Sequence, residues 1–209
     1  MHINFYEKLF NVEIAQLIMG IILLDQIILY KHTSQEDALL NTLMLLKGDG
    51  KQADNIYYGS TLSNDGNATV EFDFMLSNPP YGKSWKTDAD RLGGKGDITD
   101  PRFVVNFKDD PEHKMILRVS DGQMLFLANN VAKMKHSTEL GSRIAEVHNG
   151  SSLFTGDAGQ GESNFRRYII ESDYLEAIIA LPENMLYCYI YMGSNKSQRR
   201  KKKRQSSTY

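Results

Sequence analysis

The sequence contains very little cysteine and has no excess of charge of either sign. Cys188 is the single cysteine among 209 residues. One cysteine excludes an internal disulfide framework and a metal site built from clustered cysteines, so a cytoplasmic protein fits this composition best. The formal net charge is −2, and so small a value for the whole chain says nothing about its binding partners.

Patterns of metal ligands and of catalytic nucleophiles are also missing. His113, His136 and His148 lack the spacing that is typical of metal ligands. No combination of serine, histidine and aspartate indicates a catalytic triad. We therefore expect no metal site, and nothing in the sequence requires a covalent enzyme intermediate.

A long apolar run occurs near the N-terminus, in residues 14–30, IAQLIMGIILLDQIILY. Gln16, Asp25 and Gln26 interrupt it, and it is shorter than the roughly 20 residues that a membrane-spanning helix needs. No small-residue cleavage site of a signal peptide follows it. We expect a buried helix or strand here, with a membrane-inserted segment as the alternative.

Basic residues are concentrated at the other end of the chain. Residues 196–204, KSQRRKKKR, hold seven of the 24 lysines and arginines, so the rest of the chain is distinctly acidic. A run of this kind is typically disordered and solvated, and it attracts nucleic-acid phosphates without sequence preference.

Predicted helices and strands alternate along the middle of the chain. The spacing of apolar residues predicts a helix over residues 36–47 and another within residues 165–174. Apolar runs bounded by turn residues predict strands at residues 56–58, 69–76, 121–130, 141–150 and 175–181. Residues 69–76 are apolar on both faces near their end, as in a central parallel strand. This order predicts an α/β domain with a mostly parallel sheet, and residues 83–114 are predicted to form a long mobile loop.

One stretch, FDFMLSNPPYGKSW (72–85), indicates a binding site rather than only a turn. Asn78 lies just past a predicted strand, where open parallel sheets bind their ligands. Pro79 and Pro80 fix the backbone and remove two N–H donors, Asn78 adds a side-chain carbonyl as an acceptor, and Tyr81 adds an aromatic ring. Acceptors beside a ring suit a planar ligand with an amino group, such as adenine or cytosine turned out of a duplex.

These residue types also indicate a reaction. An exocyclic amine is a poor nucleophile because its lone pair is delocalised into the ring. Acceptors at Asn78 and at the Pro79 carbonyl would hold both amine hydrogens and draw the nitrogen toward tetrahedral geometry. The lone pair would then be free to attack a methyl donor, with the rate gain coming from positioning and electrostatics.

The same residues match the D/N/S-P-P-Y/F/W signature of amino-methyltransferases. Two longer stretches extend the similarity, ADNIYYGSTLSNDG (53–66) and NGSSLFTGDAGQGESNFRRYIIESDYLEAIIALPENMLY (149–187). Residues 36–187 resemble the methylation (M) subunit of type I restriction-modification systems, an adenine-specific DNA methyltransferase that uses S-adenosylmethionine. The resemblance implies an α/β fold with a Rossmann-like S-adenosylmethionine-dependent methyltransferase sheet, incomplete at its N-terminal end.

The resemblance also implies site residues and partners. The expected catalytic residues are Asn78, Pro79, Pro80 and Tyr81, and the candidates for binding the methyl donor are Asp73 and Glu36. For Asp73 the competing interpretation is a structural role near the strand end, and for Glu36 it is a solvated glutamate in a first helical turn. The expected partners are double-stranded DNA, a specificity (S) subunit, a second M subunit and, in the full complex, a restriction (R) subunit, with no membrane.

Both ends of the chain depart from the family pattern. The glycine-rich loop of the D-P-x-C-G-T-G-G type, which carries the amino-acid part of the donor, has no counterpart here. We therefore expect an unmatched apolar segment (1–34), a methyltransferase catalytic-domain fragment (35–190) and a basic, disordered tail (191–209). This division predicts a truncated subunit, and its activity in isolation is an open question.

Two other functions stay open at this stage. One is a noncatalytic DNA-binding or subunit-binding remnant of an M subunit, and the other is a methyltransferase with the same signature acting on RNA or on protein glutamine. Several further residues have a surface or loop position as their default interpretation and a contact with DNA, a subunit or the base as the alternative: Lys83, Trp85, Asn129, Asn130, Arg166 and Arg167.

Overall fold

The computed structural model describes residues 29–31, 56–94, 98–104, 121–136, 141–159, 161–180 and 188–194. The chain divides into two units, Met1–Gly66 and Asn67–Tyr209. The predicted helix over residues 36–47, the candidate Glu36 and the basic residues 196–204 lie outside the described residues, as does most of the apolar run 14–30. Within the described ranges, no helix has the length and apolar character needed to cross a membrane.

In the first unit, two short strands pair in parallel. Strand β1 (Leu29–Lys31) aligns residue by residue with β2 (Ile56–Tyr58). Isoleucine and tyrosine favour strands because their bulky side chains fit a pleated surface. The extended segment predicted at residues 56–58 is confirmed.

The second unit contains a four-stranded sheet. Its strands are β3 (Phe74–Ser77), β4 (Arg143–Asn149), β5 (Leu175–Ala180) and β6 (Cys188–Ser194), in the order β3-β4-β6-β5. Strands β3 and β4 are parallel, whereas β6 is antiparallel to both β4 and β5. The described sheet is therefore mixed rather than mostly parallel, and β6 includes residues 191–194, which the sequence assigned to the tail.

Among the described residues of the second unit there are three α-helices and one short 3-10 helix. They are α1 (Lys86–Arg91), α2 (Gln123–Ala132), the 3-10 helix Gly150–Leu153 and α3 (Gly161–Glu171). The strand predicted within residues 121–130 was wrong. Met124, Leu127, Ala128 and Val131 are all buried, and their spacing is that of one face of a helix.

Helix α1 lies in the segment 83–114, which the sequence predicted to be a loop throughout. Trp85 precedes this helix and is 3% exposed, and Ala89, four residues later, is 2% exposed. Residues four apart lie on the same helical face. The face of this short helix that carries Trp85 and Ala89 is therefore the buried one. The expectation that Trp85 is an exposed loop residue was wrong, and its burial gives it a packing role.

The core of the second unit combines residues from the sheet and from two helices. The buried side chains include Met75 and Ile144 from β3 and β4, Leu125 and Leu127 from α2, and Phe165 and Ile169 from α3. On β3 the burial alternates, because Met75 is buried whereas Phe74 and Leu76 are exposed. The prediction that this strand is covered on both faces is therefore not met.

Candidate functional site

The candidate site begins where β3 ends. Residues 78–81, called the NPPY motif below, directly follow the carboxyl end of this strand. Asn78 is exposed, Pro79 is buried, and Pro80 and Tyr81 are half-buried. The buried ring of Pro79 anchors the turn while the amide of Asn78 faces outward. The predicted position of Asn78, beyond the carboxyl end of a parallel strand, is the position found.

Gly82 closes the motif in a left-handed conformation. Its φ is +60°. A Cβ atom added by substitution of this glycine would have no other atom within 4 Å. Glycine adopts positive φ without the steric penalty that a Cβ imposes. The chain therefore turns sharply after Tyr81 because of backbone freedom at residue 82 and not because of crowding.

Within the motif, the tyrosine and the asparagine contact each other. The Tyr81 hydroxyl donates a hydrogen bond of 2.5 Å to Asn78 Oδ1 and lies 3.5 Å from the carbonyl oxygen of Val147. Val147 belongs to β4, the parallel neighbour of β3. Asn78 and Tyr81, which were predicted to supply an acceptor and an aromatic ring to a base pocket, thus contact each other through the tyrosine hydroxyl, and β4 contacts the far end of the motif.

A cluster of two buried and two half-buried polar side chains adjoins the start of the motif. It consists of Ser77, Asn130, Glu146 and His148, and is called the Glu146 cluster below. Ser77 and Glu146 are register partners across β3 and β4, and the Ser77 hydroxyl donates to Glu146 Oε2 at 2.5 Å. Asn130 Nδ2 donates to the same carboxyl oxygen at 2.6 Å and to Ser77 Oγ at 3.1 Å.

The second carboxyl oxygen of the cluster also has a partner. Glu146 Oε1 lies 2.8 Å from His148 Nε2. Glu146 is 0% exposed and His148 is 3% exposed. Buried carboxyl groups are tolerated where hydrogen bonds replace the lost water, and here three different side chains supply them. The cluster therefore joins β3, β4 and α2 at the end of the sheet that carries the motif.

The two neighbouring asparagines of α2 have different partners. Asn130 belongs to the Glu146 cluster, whereas Asn129 is buried and its Oδ1 accepts a hydrogen bond of 3.0 Å from the Arg102 guanidinium. Arg102 also forms an ion pair with Asp100 at 2.6 Å and lies over the Phe103 ring. Both asparagines stand at the end of the segment 121–130 that was predicted to contain a strand. They lie on a helix, where Asn130 reaches a residue adjacent to the motif.

The candidate donor-binding residue Asp73 is not brought together with the motif. It lies immediately before β3, at the opposite end of this strand from Asn78. Its Oδ2 forms an ion pair of 2.6 Å with Lys135 Nζ. Five residues of extended chain separate Asp73 from Asn78, a distance of about 16 Å. The described geometry gives Asp73 a structural contact with the segment after α2.

The two arginines of α3 differ in their surroundings. Arg167 pairs with Glu171 one turn later at 2.8 Å and is exposed, as expected for a solvated face. Arg166 is half-buried and donates to the carbonyl oxygen of Ser152 at 3.1 Å. Burial lowers the pKa of Arg166, and the nearby carboxylate of Glu162 opposes this shift. Arg166 thus connects α3 to the 3-10 helix.

A cavity of about 340 Å³ lies elsewhere in the second unit. Arg102, Ala128, Phe165 and Tyr168 are among its lining residues, and none of the lining residues belongs to the NPPY motif. Burial and the neighbouring Tyr174 raise the pKa of the Tyr168 phenol, so this side chain stays neutral.

The described residues contain no group of three or more side chains that could hold a metal ion.

The residues that sequence reasoning missed are Ser77, Glu146 and His148. Glu146 and His148 alternate with Ala145 and Val147 along β4, and the charged residue and the histidine face inward. Polar residues at alternate positions of a strand usually indicate its solvent face, so the pattern pointed the wrong way. The signal that remains in the sequence is the short spacing between an acid and a histidine two residues apart on one strand.

Comparison with solved structures shows the fold. The type I restriction-modification system methyltransferase subunit from Streptococcus thermophilus matches with a TM-score of 0.61 and 22% identity, over 80% of this chain and 33% of that chain. A chain from a structure of complex assembly and conformational transition in the type I R-M system matches with a TM-score of 0.50 and 19% identity, over 73% and 27%. The chain thus spans about a third of the first of these proteins. Comparison with curated proteins gives no match.

The fold and the motif together define an α/β domain of the methyltransferase class. The model of the N-6 DNA methylase family matches residues 29–195. The chain belongs to the N-6 DNA methylase family. The predicted methyltransferase sheet and the predicted family of adenine methylases are both confirmed.

Proposed function

We propose that the NPPY motif is the pocket for a flipped adenine in the M subunit of a type I restriction-modification system. The observation that carries this proposal is the placement of Asn78 and Tyr81. The exposed residue Asn78 and the half-buried Tyr81 lie just beyond the carboxyl end of a parallel strand, with the tyrosine hydroxyl bonded to the amide oxygen. The family match supports DNA as the substrate in preference to RNA or protein.

In this pocket, the chain's own residues hold the base and prepare its amine. The Tyr81 ring stacks on the adenine, since aromatic rings accept the flat face of any base. Asn78 Oδ1 and the Pro79 carbonyl accept the two amine hydrogens, which localises the nitrogen lone pair away from the ring. Acceptors that are already fixed before the base enters cost no reorganisation at the moment of reaction.

The family implies a methyl donor, which we propose to be S-adenosylmethionine, the supplier of the electrophilic methyl group. The described residues do not form a site that fits it. Asp73 is paired with Lys135 at the far end of β3, and Glu36 lies outside the described residues.

In the working assembly, we propose that the partners are double-stranded DNA, an S subunit that reads the sequence, a second M subunit and an R subunit. This chain corresponds to about a third of the M subunit it matches. A second candidate function is a noncatalytic one, in which the chain binds the base or another subunit without catalysing methyl transfer. It is favoured by the small share of the M subunit that the chain covers and by the position of Asp73 away from the motif.

The pocket is tested by comparing two nucleosides that differ only in the amine. Adenosine and purine riboside, which lacks the amino group, are titrated into the purified chain and followed by ligand-observed NMR. We expect about tenfold tighter binding of adenosine, since two neutral hydrogen bonds are gained. The Asn78→Ala variant should lose the part of this preference that Asn78 Oδ1 supplies, keep the part that the Pro79 carbonyl supplies, and keep its affinity for purine riboside. Equal binding of the two nucleosides by the wild-type chain would contradict the proposal.

Catalysis is tested separately. Methyl-labelled S-adenosylmethionine and duplex DNA are incubated with the chain, with and without an S subunit, and the label in DNA is counted. Transfer that disappears in Asn78→Ala supports the enzyme. A preference for adenosine without any transfer, under all of these conditions, favours the noncatalytic alternative.

A further inference from the structure

Ser77 connects β3 to the NPPY motif. It is the last residue of β3, and its backbone continues directly into Asn78. Its hydroxyl is held from two directions, because it donates to Glu146 Oε2 at 2.5 Å and accepts from Asn130 Nδ2 at 3.1 Å. Asn130 also donates to the same carboxyl oxygen at 2.6 Å. A side chain fixed by groups on β4 and on α2 has little freedom to rotate.

The carboxyl group that holds Ser77 is itself fixed. Glu146 is fully buried, and its other oxygen faces His148 at 2.8 Å. A buried carboxyl is stable only with its hydrogen-bond partners in place, so movement of one member of the Glu146 cluster is costly for the others. The motif is contacted by β4 at its other end as well, through the Val147 carbonyl and the Tyr81 hydroxyl.

From this geometry we infer that Ser77, held by Glu146 and Asn130, is a positioning residue that orients Asn78 toward the amino group of an adenine. The inference rests on the proposed function of the motif. Hydrogen bonds weaken steeply when the donor and acceptor are misaligned, whereas stacking on an aromatic ring tolerates small shifts. Loosening Ser77 therefore impairs recognition of the amine and leaves stacking intact.

The two nucleosides described above separate positioning from general destabilisation. In Ser77→Ala, which removes the hydroxyl and leaves Glu146 with Asn130 and His148, the preference for adenosine over purine riboside should fall by about 2- to 10-fold. Affinity for purine riboside should stay at the wild-type value. Ser77→Thr, which keeps the hydroxyl on a residue suited to strands, should restore the preference. Asn130→Ala should lower it in the same way.

Ser142, which lies immediately before β4, offers a matched control. It is fully buried, and its hydroxyl donates to the carbonyl oxygen of Phe72 at the amino end of β3 and accepts from the Lys135 amide. Ser142→Ala thus removes a comparable serine bond from the end of β3 that is remote from the motif. We expect it to lower the melting temperature and to leave the preference for adenosine unchanged.

The outcomes distinguish this inference from the function on which it rests. A wild-type chain without preference for adenosine overturns both. A wild-type preference that persists in folded Ser77→Ala and Asn130→Ala overturns the positioning role alone, as does an equal loss in Ser142→Ala. Thermal melting of each variant identifies any that do not fold, and Ser77→Ala decides the question if Asn130→Ala is among them.

Discussion

The hydroxyl of Tyr81 donates a hydrogen bond of 2.5 Å to Oδ1 of Asn78. The acceptor that we assign to the adenine amine therefore has an internal partner before any base enters. A carbonyl oxygen has two lone pairs, so it can accept a hydrogen bond from the adenine amine as well. The hydrogen bond from Tyr81 that is already present weakens this second hydrogen bond. Tyr81 has an alternative acceptor in the Val147 carbonyl, 3.5 Å away.

Tyr81→Phe tests whether this internal bond competes with the base. The variant keeps the ring and removes the competing donor, so we expect adenosine to bind about 2- to 10-fold more tightly, the equivalent of one neutral hydrogen bond. Affinity for purine riboside should not change. Both affinities are measured by ligand-observed NMR.

Tyr81→Ala provides the contrast. Compared with Tyr81→Phe, which also lacks the hydroxyl, loss of the ring should weaken the binding of adenosine and of purine riboside alike, by about 1–3 kcal/mol for the lost stacking. If Tyr81→Phe instead binds adenosine more weakly than the wild type, the hydroxyl assists the base and does not compete with it.

The buried carboxyl of Glu146 should be important for stability as well as for positioning. Glu146→Ala leaves Ser77, Asn130 and His148 without their shared acceptor. Leaving a buried polar group without its hydrogen-bond partner typically costs about 1–3 kcal/mol of unfolding free energy. Urea unfolding followed by circular dichroism measures the change.

The control for Glu146→Ala is an exposed ion pair. Arg167 and Glu171 are one helical turn apart on α3, and pairs of this type contribute about 0.3–0.5 kcal/mol. Arg167→Ala should therefore unfold almost as the wild type does. A loss in Glu146→Ala no larger than that in Arg167→Ala would show that the cluster does not stabilise the fold.

The site motif could be predicted from the sequence because its determinants are local. Two consecutive prolines fix their own backbone, and Asn78 and Tyr81 lie within four residues of each other. Their position at a strand end followed from the apolar run that precedes them. Helix α3 and strands β4 and β5 were also predicted, since each has a clear period or apolar run of its own.

The Glu146 cluster could not be predicted because its partners are distant in the sequence. Ser77, Asn130 and Glu146 come from three elements that only the fold brings together. On β4, hydrophobicity alone would place Ala145 and Val147 inside, yet Glu146 and His148 are buried. Hydrogen bonds to Ser77 and Asn130 stabilise the buried position of Glu146. The sequence pattern of β4 does not reveal these bonds, because their partners lie on other elements. For α2, a short apolar run was compatible with either a strand or a helix, and packing decided for the helix.

The turn after the motif depends on a residue without a Cβ. Gly82 has a φ of +60° with open space around it, so strain in the backbone is the cost of substitution there. Gly82→Ala should lower the unfolding free energy by about 1–2 kcal/mol. Gly82→Asn should cost less, because asparagine adopts the left-handed region more readily. Urea unfolding of both variants measures the difference, and equal stability of the wild type and Gly82→Ala would contradict a left-handed residue at this position.

Trp85 allows its burial to be read directly, since it is the only tryptophan in the chain. A side chain that is 3% exposed should show a blue-shifted emission and resist quenching by iodide until the chain unfolds. An added Cβ at Gly122 would lie 3.3 Å from the Trp85 Cβ. Gly122→Ala should therefore shift the emission to the red, because the tight contact displaces the indole. Saturating duplex DNA should leave the wild-type emission unchanged. Strong quenching of the folded chain by iodide would show that Trp85 is exposed. Quenching by DNA would show that it contacts DNA. Either result would contradict its buried position.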